Sequence, residues 1–307
     1  METPCPVCQG SMQLLWRDVV DAEGLATFSI YKCSACGLGA TSPVPENLGD
    51  YYHAQYYGGR HGFTAKLCDR RRIRFVEKHC RRQSRGKLLD IGCGEGSFLQ
   101  TANKLGWDGW GVETQPDLAR EQGLRVVETI EEASQYAPFD CITLWHVLEH
   151  FRSPVEEIER VSKLLSPRGK LFIAVPDWGS LQARLFGQRW LALDLPRHLF
   201  HFSERSLAHM LSANKLRRLE TRYCELEYDL MGWVQSALNA CSRRNNVFFK
   251  IVTGKNCSVS PAQRIVHMIA GTALSGIGLI PMLVARERGA GGTLMLAAER
   301  FENEGHN

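Results

Sequence analysis

The sequence predicts an α/β fold built on a parallel sheet. Apolar segments typical of strands alternate with helical segments from about residue 64 onward, and parallel strands need such crossover connections. The apolar segment 88–91 runs directly into a glycine-rich turn, Gly-Cys-Gly-Glu-Gly at 92–96, which precedes a helix. Acidic residues stand at the ends of two successive strands, Asp90 and Glu113. Because ligands gather at the carboxyl ends of parallel strands, these features predict a binding site at that edge.

Seven strands are predicted along the chain. They lie near or within segments 88–91, 109–113, 125–128, 139–150, 167–176, 216–223 and 293–300. The last two are separated by residues 224–292, of which 228–290 are predicted to form an apolar helical insert.

Within this insert the apolar run 265–285 is close to the length of a membrane span. A single crossing is not expected, because the seventh strand must return to the sheet. The run is therefore predicted either to pack on the domain or to lie in a membrane interface. The basic residues that flank it are Lys250, Lys255, Arg264, Arg286 and Arg288.

Composition bounds the class of protein. With 307 residues, 44% of them hydrophobic and 23% charged, the chain can bury one large core plus a small appendage. A net charge of +4 does not demand a nucleic-acid partner, and the basic clusters at 70–74 and 81–82 are interpreted as a solvated helix face. The N-terminus shows no basic apolar leader, so we expect a cytoplasmic protein with reduced cysteines.

Four cysteines near the N-terminus have the spacing of a metal site. Cys5 and Cys8 form one Cys-x-x-Cys pair and Cys33 and Cys36 another. Four thiolates on two such turns predict a structural Zn²⁺ in a zinc ribbon over residues 1–40, with hairpin strands at 13–16 and 28–31. An aromatic linker, 41–63, follows; its cluster at 51–59 either lies over a cofactor or packs the ribbon against the core.

The two acids help to identify the cofactor. An acid before the glycine loop would repel a pyrophosphate but suits a cationic amino-acid tail, and an acid after the second strand is placed to accept ribose hydroxyls. These preferences favour S-adenosyl-L-methionine over NAD. The run Asp90-Ile-Gly-Cys-Gly-Glu-Gly resembles the first motif of class I S-adenosylmethionine-dependent methyltransferases, and 139–150 and 167–176 are similar to later parts of that family.

The resemblance implies a Rossmann-like, seven-stranded methyltransferase sheet with helices on both faces over residues 64–307. It also implies that Asp90 and the loop hold the methionine part, that Glu113 holds the ribose, and that neighbouring residues surround the adenine. The predicted cofactor-binding residues are Asp90, Gly92, Cys93, Gly94, Gly96, Glu113, Thr114, Thr129, Trp145 and His146.

Methyl transfer to a hydroxyl also needs a base, and histidine has a suitable pKa. We predict His150 and His198 for this role, since 196–202, Pro-Arg-His-Leu-Phe-His-Phe, resembles a substrate-side loop of related bacterial enzymes. Arg197 and His201 are predicted to bind the acceptor. A surface ion pair at Arg197, and structural or metal-binding roles for the histidines, remain the alternatives.

The combination of ribbon and core resembles bacterial methyltransferases of glycan and lipid-linked sugar biosynthesis. This resemblance implies O-methylation of a sugar, glycan or prenyl-linked or lipid-linked intermediate, with possible contact at the inner membrane surface. The alternatives are a sugar-nucleotide C-methyltransferase, an RNA methyltransferase and a non-catalytic cofactor-binding module. An RNA substrate is disfavoured, because Leu144-Trp145-His146 stands where an Asn-Pro-Pro-Tyr-type motif would be.

Overall fold

The computed structural model describes residues 4–51, 64–80, 86–242 and 244–301. The chain divides into two compact units, each made of three stretches. The cysteine unit comprises Met1–Gly62, Pro176–Ser206 and Arg222–Leu294, and the sheet unit comprises Phe63–Val175, Leu207–Thr221 and Met295–Asn307. Most of the predicted aromatic cluster, residues 52–59, and the basic pair at 81–82 lie outside the described residues.

The cysteine unit contains a four-stranded antiparallel sheet. Its strands, in spatial order, are β1 (Met12–Val20), β2 (Thr27–Cys33), β3 (Gly39–Ser42) and β9 (Phe200–His201). Strands β1 and β2 form the predicted hairpin but are longer than predicted, and their pairing shifts register between Leu14 and Trp16. The sequence did not indicate β3 or β9, because each is short and their pairing of Gly39 with His201 joins distant parts of the chain.

The other sheet has seven strands, as predicted. Its strands are β4 (Lys87–Ile91), β5 (Asp108–Val112), β6 (Val126–Val127), β7 (Phe139–Trp145), β8 (Leu165–Pro176), β10 (Leu216–Arg222) and β11 (Thr293–Arg300), in the order β10-β11-β8-β7-β4-β5-β6. The five strands from β8 to β6 pair with one another in parallel. Buried apolar side chains on both faces, such as Leu88 and Leu89, explain why β4 forms a central strand.

Ten helices are found in the described part of the chain. They are α1 (Ala65–His79), α2 (Ser97–Lys104), α3 (Asp117–Glu121), α4 (Ile130–Ser134), α5 (Pro154–Leu164), α6 (Leu181–Phe186), α7 (Glu204–Ala213), α8 (Leu226–Cys241), α9 (Val247–Val252) and α10 (Pro261–Glu287). The last three form the predicted helical insert before β11. Among the described residues, α10 alone is long and apolar enough to cross a membrane, judged by length and composition.

Candidate functional site

The glycine loop follows the end of β4 in the sheet unit. Gly92 and Gly94 have φ values of +69° and +56°, in the left-handed region that favours glycine. A Cβ on Gly92 would lie 2.4 Å from Val147 Cγ2, so this position also needs glycine for space. A Cβ on Gly94 would meet no heavy atom within 4 Å, so that side of the loop is open. The loop therefore leaves space for a ligand beside Gly94.

Asp90 lies buried at the end of β4. The Thr143 hydroxyl, on the neighbouring strand β7, donates a hydrogen bond to Asp90 Oδ1 at 2.6 Å. Burial raises the pKa of Asp90 to about 7, although this hydrogen bond and the positive charge of Arg72 act in the opposite direction. A carboxyl group desolvated in this way gains most from a cationic ligand, which favours its charged form.

Glu113 follows β5 and is tied to the glycine loop. Its Oε2 accepts a hydrogen bond from the Gly94 N–H at 2.9 Å, and its Oε1 accepts one from the Thr114 hydroxyl at 3.0 Å. The structure thus brings together the loop, Glu113 and Thr114, which the sequence predicted as neighbours. Cys93 packs against β5, where a Cβ on Gly111 would lie 2.6 Å from its sulfur. Burial raises the pKa of the Cys93 thiol, which is therefore neutral.

Trp145 ends β7 and is buried beside Arg72, whose guanidinium carbon lies 5.2 Å from the ring centroid. Among the described residues its indole N–H has no hydrogen-bond partner.

Thr129 caps α4, because its hydroxyl accepts a hydrogen bond from the Glu132 N–H at 3.1 Å. This capping role does not depend on a cofactor.

The residue after β7, His146, is buried and has a φ of +56°. Its backbone N–H donates to the Ala174 carbonyl at 2.8 Å, and its Nδ1 lies 3.7 Å from Glu149 Oε1. A non-glycine residue in the left-handed region costs free energy and is common at functional sites. His150 ends the following 3₁₀ turn, Leu148–His150, and is half-buried.

The four predicted metal ligands meet in the cysteine unit. The sulfur of Cys5 lies 3.6 Å from that of Cys36, and the sulfur of Cys8 lies 3.5 Å from that of Cys33. All four sulfurs lie within 4.8 Å of one another. A tetrahedral zinc with Zn–S bonds of about 2.3 Å would separate its sulfurs by about 3.8 Å. The cluster is therefore compatible with a structural zinc.

The residues predicted on the acceptor side, Arg197 and His201, and the predicted base His198 also lie in the cysteine unit. Asp194 accepts a hydrogen bond from Arg197 Nε at 3.0 Å and a second, shorter one from its Nη2, so the guanidinium forms an ion pair. His198 is buried, with Nδ1 2.8 Å from the Ala192 carbonyl oxygen. This contact indicates the tautomer protonated at Nδ1, which leaves Nε2 as the basic nitrogen.

His201, on β9, is buried and belongs to the segment 196–202, which was predicted to lie on the substrate side. Its Nε2 is 3.1 Å from the Thr41 hydroxyl of β3. Its ring packs against Trp178, with the ring centroids 5.1 Å apart. These contacts tie His201 to the short β3–β9 pairing.

Two residues that influence Asp90 were missing from the prediction, Arg72 and Thr143. Thr143 had a sequence signal, because it is a polar residue within the otherwise apolar segment Cys-Ile-Thr-Leu-Trp. Arg72 had none, since it belongs to a run of basic residues in α1 that resembles a solvated face. Only the fold shows that its side chain is buried.

Comparison with known protein families identifies the family of this chain. The profile of a family described as "Methyltransferase domain" matches residues 60–220, just over half of the chain. The chain therefore belongs to this family, and its seven-stranded fold and glycine loop make it a class I S-adenosylmethionine-dependent methyltransferase.

Curated relatives match a shorter part of the chain. A ubiquinone biosynthesis O-methyltransferase from Xanthomonas oryzae pv. oryzae is 30% identical over 132 residues, which are 38% of this chain and 55% of that protein. The enzyme of the same name from Methylococcus capsulatus is 31% identical over 147 residues, 43% of this chain and 61% of that protein. The chain thus spans little more than half the length of these relatives.

Solved structures share the fold at low sequence identity. A Galdieria sulphuraria protein described as a sarcosine dimethylglycine methyltransferase has a TM-score of 0.52 at 14% identity, covering 77% of this chain and 86% of that one. The plantazolicin methyltransferase BpumL has a TM-score of 0.50 at 13% identity, covering 83% and 92%. At these identities the likeness concerns the fold alone.

Proposed function

We propose that this chain methylates a hydroxyl oxygen of a sugar, glycan or prenyl-linked or lipid-linked small molecule. One observation supports the binding of S-adenosylmethionine. The buried Asp90 carboxyl lies beside a glycine loop whose Gly94 N–H donates a hydrogen bond to Glu113. Support for oxygen as the acceptor atom comes from the relatives, which are O-methyltransferases. The sugar and lipid classes rest on the resemblance of ribbon and core to such enzymes. The cytoplasmic location stays a prediction.

The cofactor, when bound, supplies a methyl group on a positively charged sulfur. Asp90 and the backbone of the loop are the proposed holders of its cationic methionine part, because a positive charge there offsets the cost of burying the ionised Asp90 carboxylate. Glu113 is proposed to accept hydrogen bonds from the ribose. Trp145 and His146 are proposed to line the adenine side.

A base is needed to take the proton of the acceptor hydroxyl as the new C–O bond forms. His150 in the sheet unit and His198 in the cysteine unit are the two proposed candidates. His198 has the better-defined ring, since its Nδ1 contact with the Ala192 carbonyl fixes the tautomer and leaves Nε2 to accept a proton. Arg197 and His201 are proposed on the acceptor side, with Arg197 already held by Asp194.

The test is the transfer of labelled methyl from S-adenosylmethionine into a fractionated cell extract. Wild-type protein is compared with Asp90→Asn, and lipid, glycan, nucleic-acid, protein and small-molecule pools are counted separately. Label that enters the lipid or glycan pool and is absent with Asp90→Asn supports the proposal. Chemical cleavage of the product then separates an O-methyl from a C-methyl group. Label confined to RNA, or no label in any pool, would refute it.

A further inference from the structure

One side of α10 is an exposed aliphatic surface. Ile269 and Ile280 are 67% and 69% exposed, although isoleucine is among the residues most often buried. We define the α10 aliphatic face as Ile265, Val266, Ile269, Ile277, Ile280, Leu283 and Val284, all of them exposed. At about 100° per residue, these side chains fall within one arc of about 120°. They form two groups, 265–269 and 277–284, on the same side of the helix, and small exposed residues lie between them.

The opposite side of the same helix packs on the cysteine unit. Its buried residues are Gly271, Gly278, Met282 and Ala285. A Cβ on Gly271 would lie 2.3 Å from the Phe248 ring of α9, so the two helices are in close contact there. Two glycines, an alanine and Met282 thus face the unit, and larger aliphatic residues face outward. The helix is therefore held along one side by its own unit, while its other side is exposed.

Charge and composition favour a lipid surface as the occupant of this face. Residues 265–285 contain no Asp, Glu, Lys or Arg, over a length of about 30 Å. Exposed arginines stand at both ends, Arg264 before the run and Arg286 and Arg288 after it, and Glu287 leaves the second end with a net charge of +1. The face carries no Trp, Tyr or Arg, the residues that dominate protein–protein hot spots. An aliphatic face between cationic ends complements an anionic bilayer.

We propose that α10 lies in the surface of an anionic lipid bilayer with its aliphatic face among the acyl chains. The site is independent of the methyl-transfer proposal, because it lies on a different element and its test measures membrane binding alone. If both hold, the cysteine unit would be attached to the surface at which a lipid-linked acceptor is found.

The test is flotation of the full-length protein with vesicles of 30% phosphatidylglycerol in phosphatidylcholine. We expect Ile269→Glu/Ile280→Glu to lower the partition coefficient about 100-fold, because charges replace two aliphatic side chains that the bilayer would bury. Leu118→Glu is the matched control, since Leu118 is also an exposed apolar helix residue, on α3 of the sheet unit, and should bind as wild type. Thermal unfolding followed by circular dichroism checks that each variant is folded.

A second variant tests the charges without altering the aliphatic face. Arg286→Gln/Arg288→Gln should weaken binding to anionic vesicles about 10-fold and leave the weaker binding to neutral phosphatidylcholine unchanged. The proposal is overturned if wild-type protein does not float, if the isoleucine variant floats equally well, or if both glutamate variants lose binding to the same extent. It is also overturned if wild-type protein is a dimer without vesicle affinity and the isoleucine variant is a monomer, since the face then binds a second copy.

Discussion

The cysteine unit and the sheet unit hold their ligand-binding groups by different means. In the sheet unit, Asp90 belongs to a central strand whose apolar residues are fully buried, so the hydrophobic core itself fixes the carboxyl group. In the cysteine unit, β1 exposes most of its side chains, and the four cysteines lie outside β1, with Cys33 at the end of β2. A ligand site built on a core needs no ligand to form, whereas four clustered thiols depend on a metal for their stability.

The largest effect is expected when a cysteine of the metal cluster is replaced. We expect Cys33→Ser to release zinc and to remove the hydrogen-exchange protection of β1 and β2, because structural zinc stabilises small peptides by about 10–16 kcal/mol. Cys257→Ser, outside the cluster, is the control and should retain both the metal and the protection. Cofactor binding by the sheet unit should persist in both variants. Wild-type protein that contains no zinc yet protects these amides would contradict the comparison.

The two candidate bases, His150 and His198, lie in different units. Variants at each position therefore show which unit supplies the base. Replacing the true base with glutamine should lower kcat by about 100-fold or more, while the affinity for S-adenosylmethionine stays unchanged. Single-turnover methyl transfer by His150→Gln and His198→Gln measures this directly. A true base also shifts the acidic limb of the pH–rate profile, which a structural histidine does not. Equal rates for both variants and wild type would eliminate both residues.

A smaller effect is expected at Asp90. The variant Asp90→Asn retains the size of the side chain but removes its charge, and we expect about 100-fold weaker binding of S-adenosylmethionine. Isothermal titration calorimetry measures the loss. Asp140→Asn is a matched control, because Asp140 lies on the neighbouring strand β7 but is exposed. An unchanged affinity of Asp90→Asn would remove Asp90 from the site.

The same carboxyl group predicts a pH dependence. Burial raises the pKa of Asp90 from 3.8 to about 7, so its contribution to stability is fully present below pH 3.8 and is lost as the pH rises through about 7. Cofactor affinity has the opposite trend, because the cation binds the ionised form. We expect affinity to rise between pH 6 and pH 8 in wild type and to stay flat in Asp90→Asn, when calorimetry is repeated across this range.

The sheet unit was predictable because its signals are local. The second and seventh strands were predicted to within one residue of β5 and β11, since each is a short apolar run bounded by turn residues. The glycine loop, Glu113 and Thr114, predicted to bind the cofactor, are joined by hydrogen bonds in the structure, and their cofactor-binding role stays a prediction. These groups lie within one β-loop-α-β segment, so chain connectivity alone brings them near each other.

What the sequence did not reveal depends on distant or unusual contacts. The bond between Asp90 and Thr143 forms only because β7 pairs with β4. The β3–β9 pairing has no periodicity to detect, because β9 has two residues. The left-handed backbone at His146 is equally hidden, since only glycine adopts this conformation routinely and no sequence pattern marks a histidine that does. Such features follow from the whole fold rather than from a segment.

The smallest expected effect concerns the stability of the sheet unit, which should not depend on a bound ligand. Glu299 of β11 accepts hydrogen bonds from Lys170 of β8 and from Arg217 of β10, the latter at 2.7 Å. Burial alone would raise the pKa of Glu299, but the two cations outweigh it and lower that pKa. Its contribution to stability is therefore present above pH 4.5 and is lost as the pH falls through the lowered pKa.

We expect Glu299→Gln to cost the sheet unit about 1 kcal/mol at pH 7, because Arg217 is largely exposed and the pair with Lys170 is only partly shielded from water. Urea unfolding followed at pH 7 and pH 3 measures the cost, which should shrink at the lower pH as the wild-type carboxylate becomes protonated. Zinc chelation should leave it unchanged, since the three side chains belong to the sheet unit. A cost that disappears on chelation would mean that the sheet unit, too, depends on the metal for its stability.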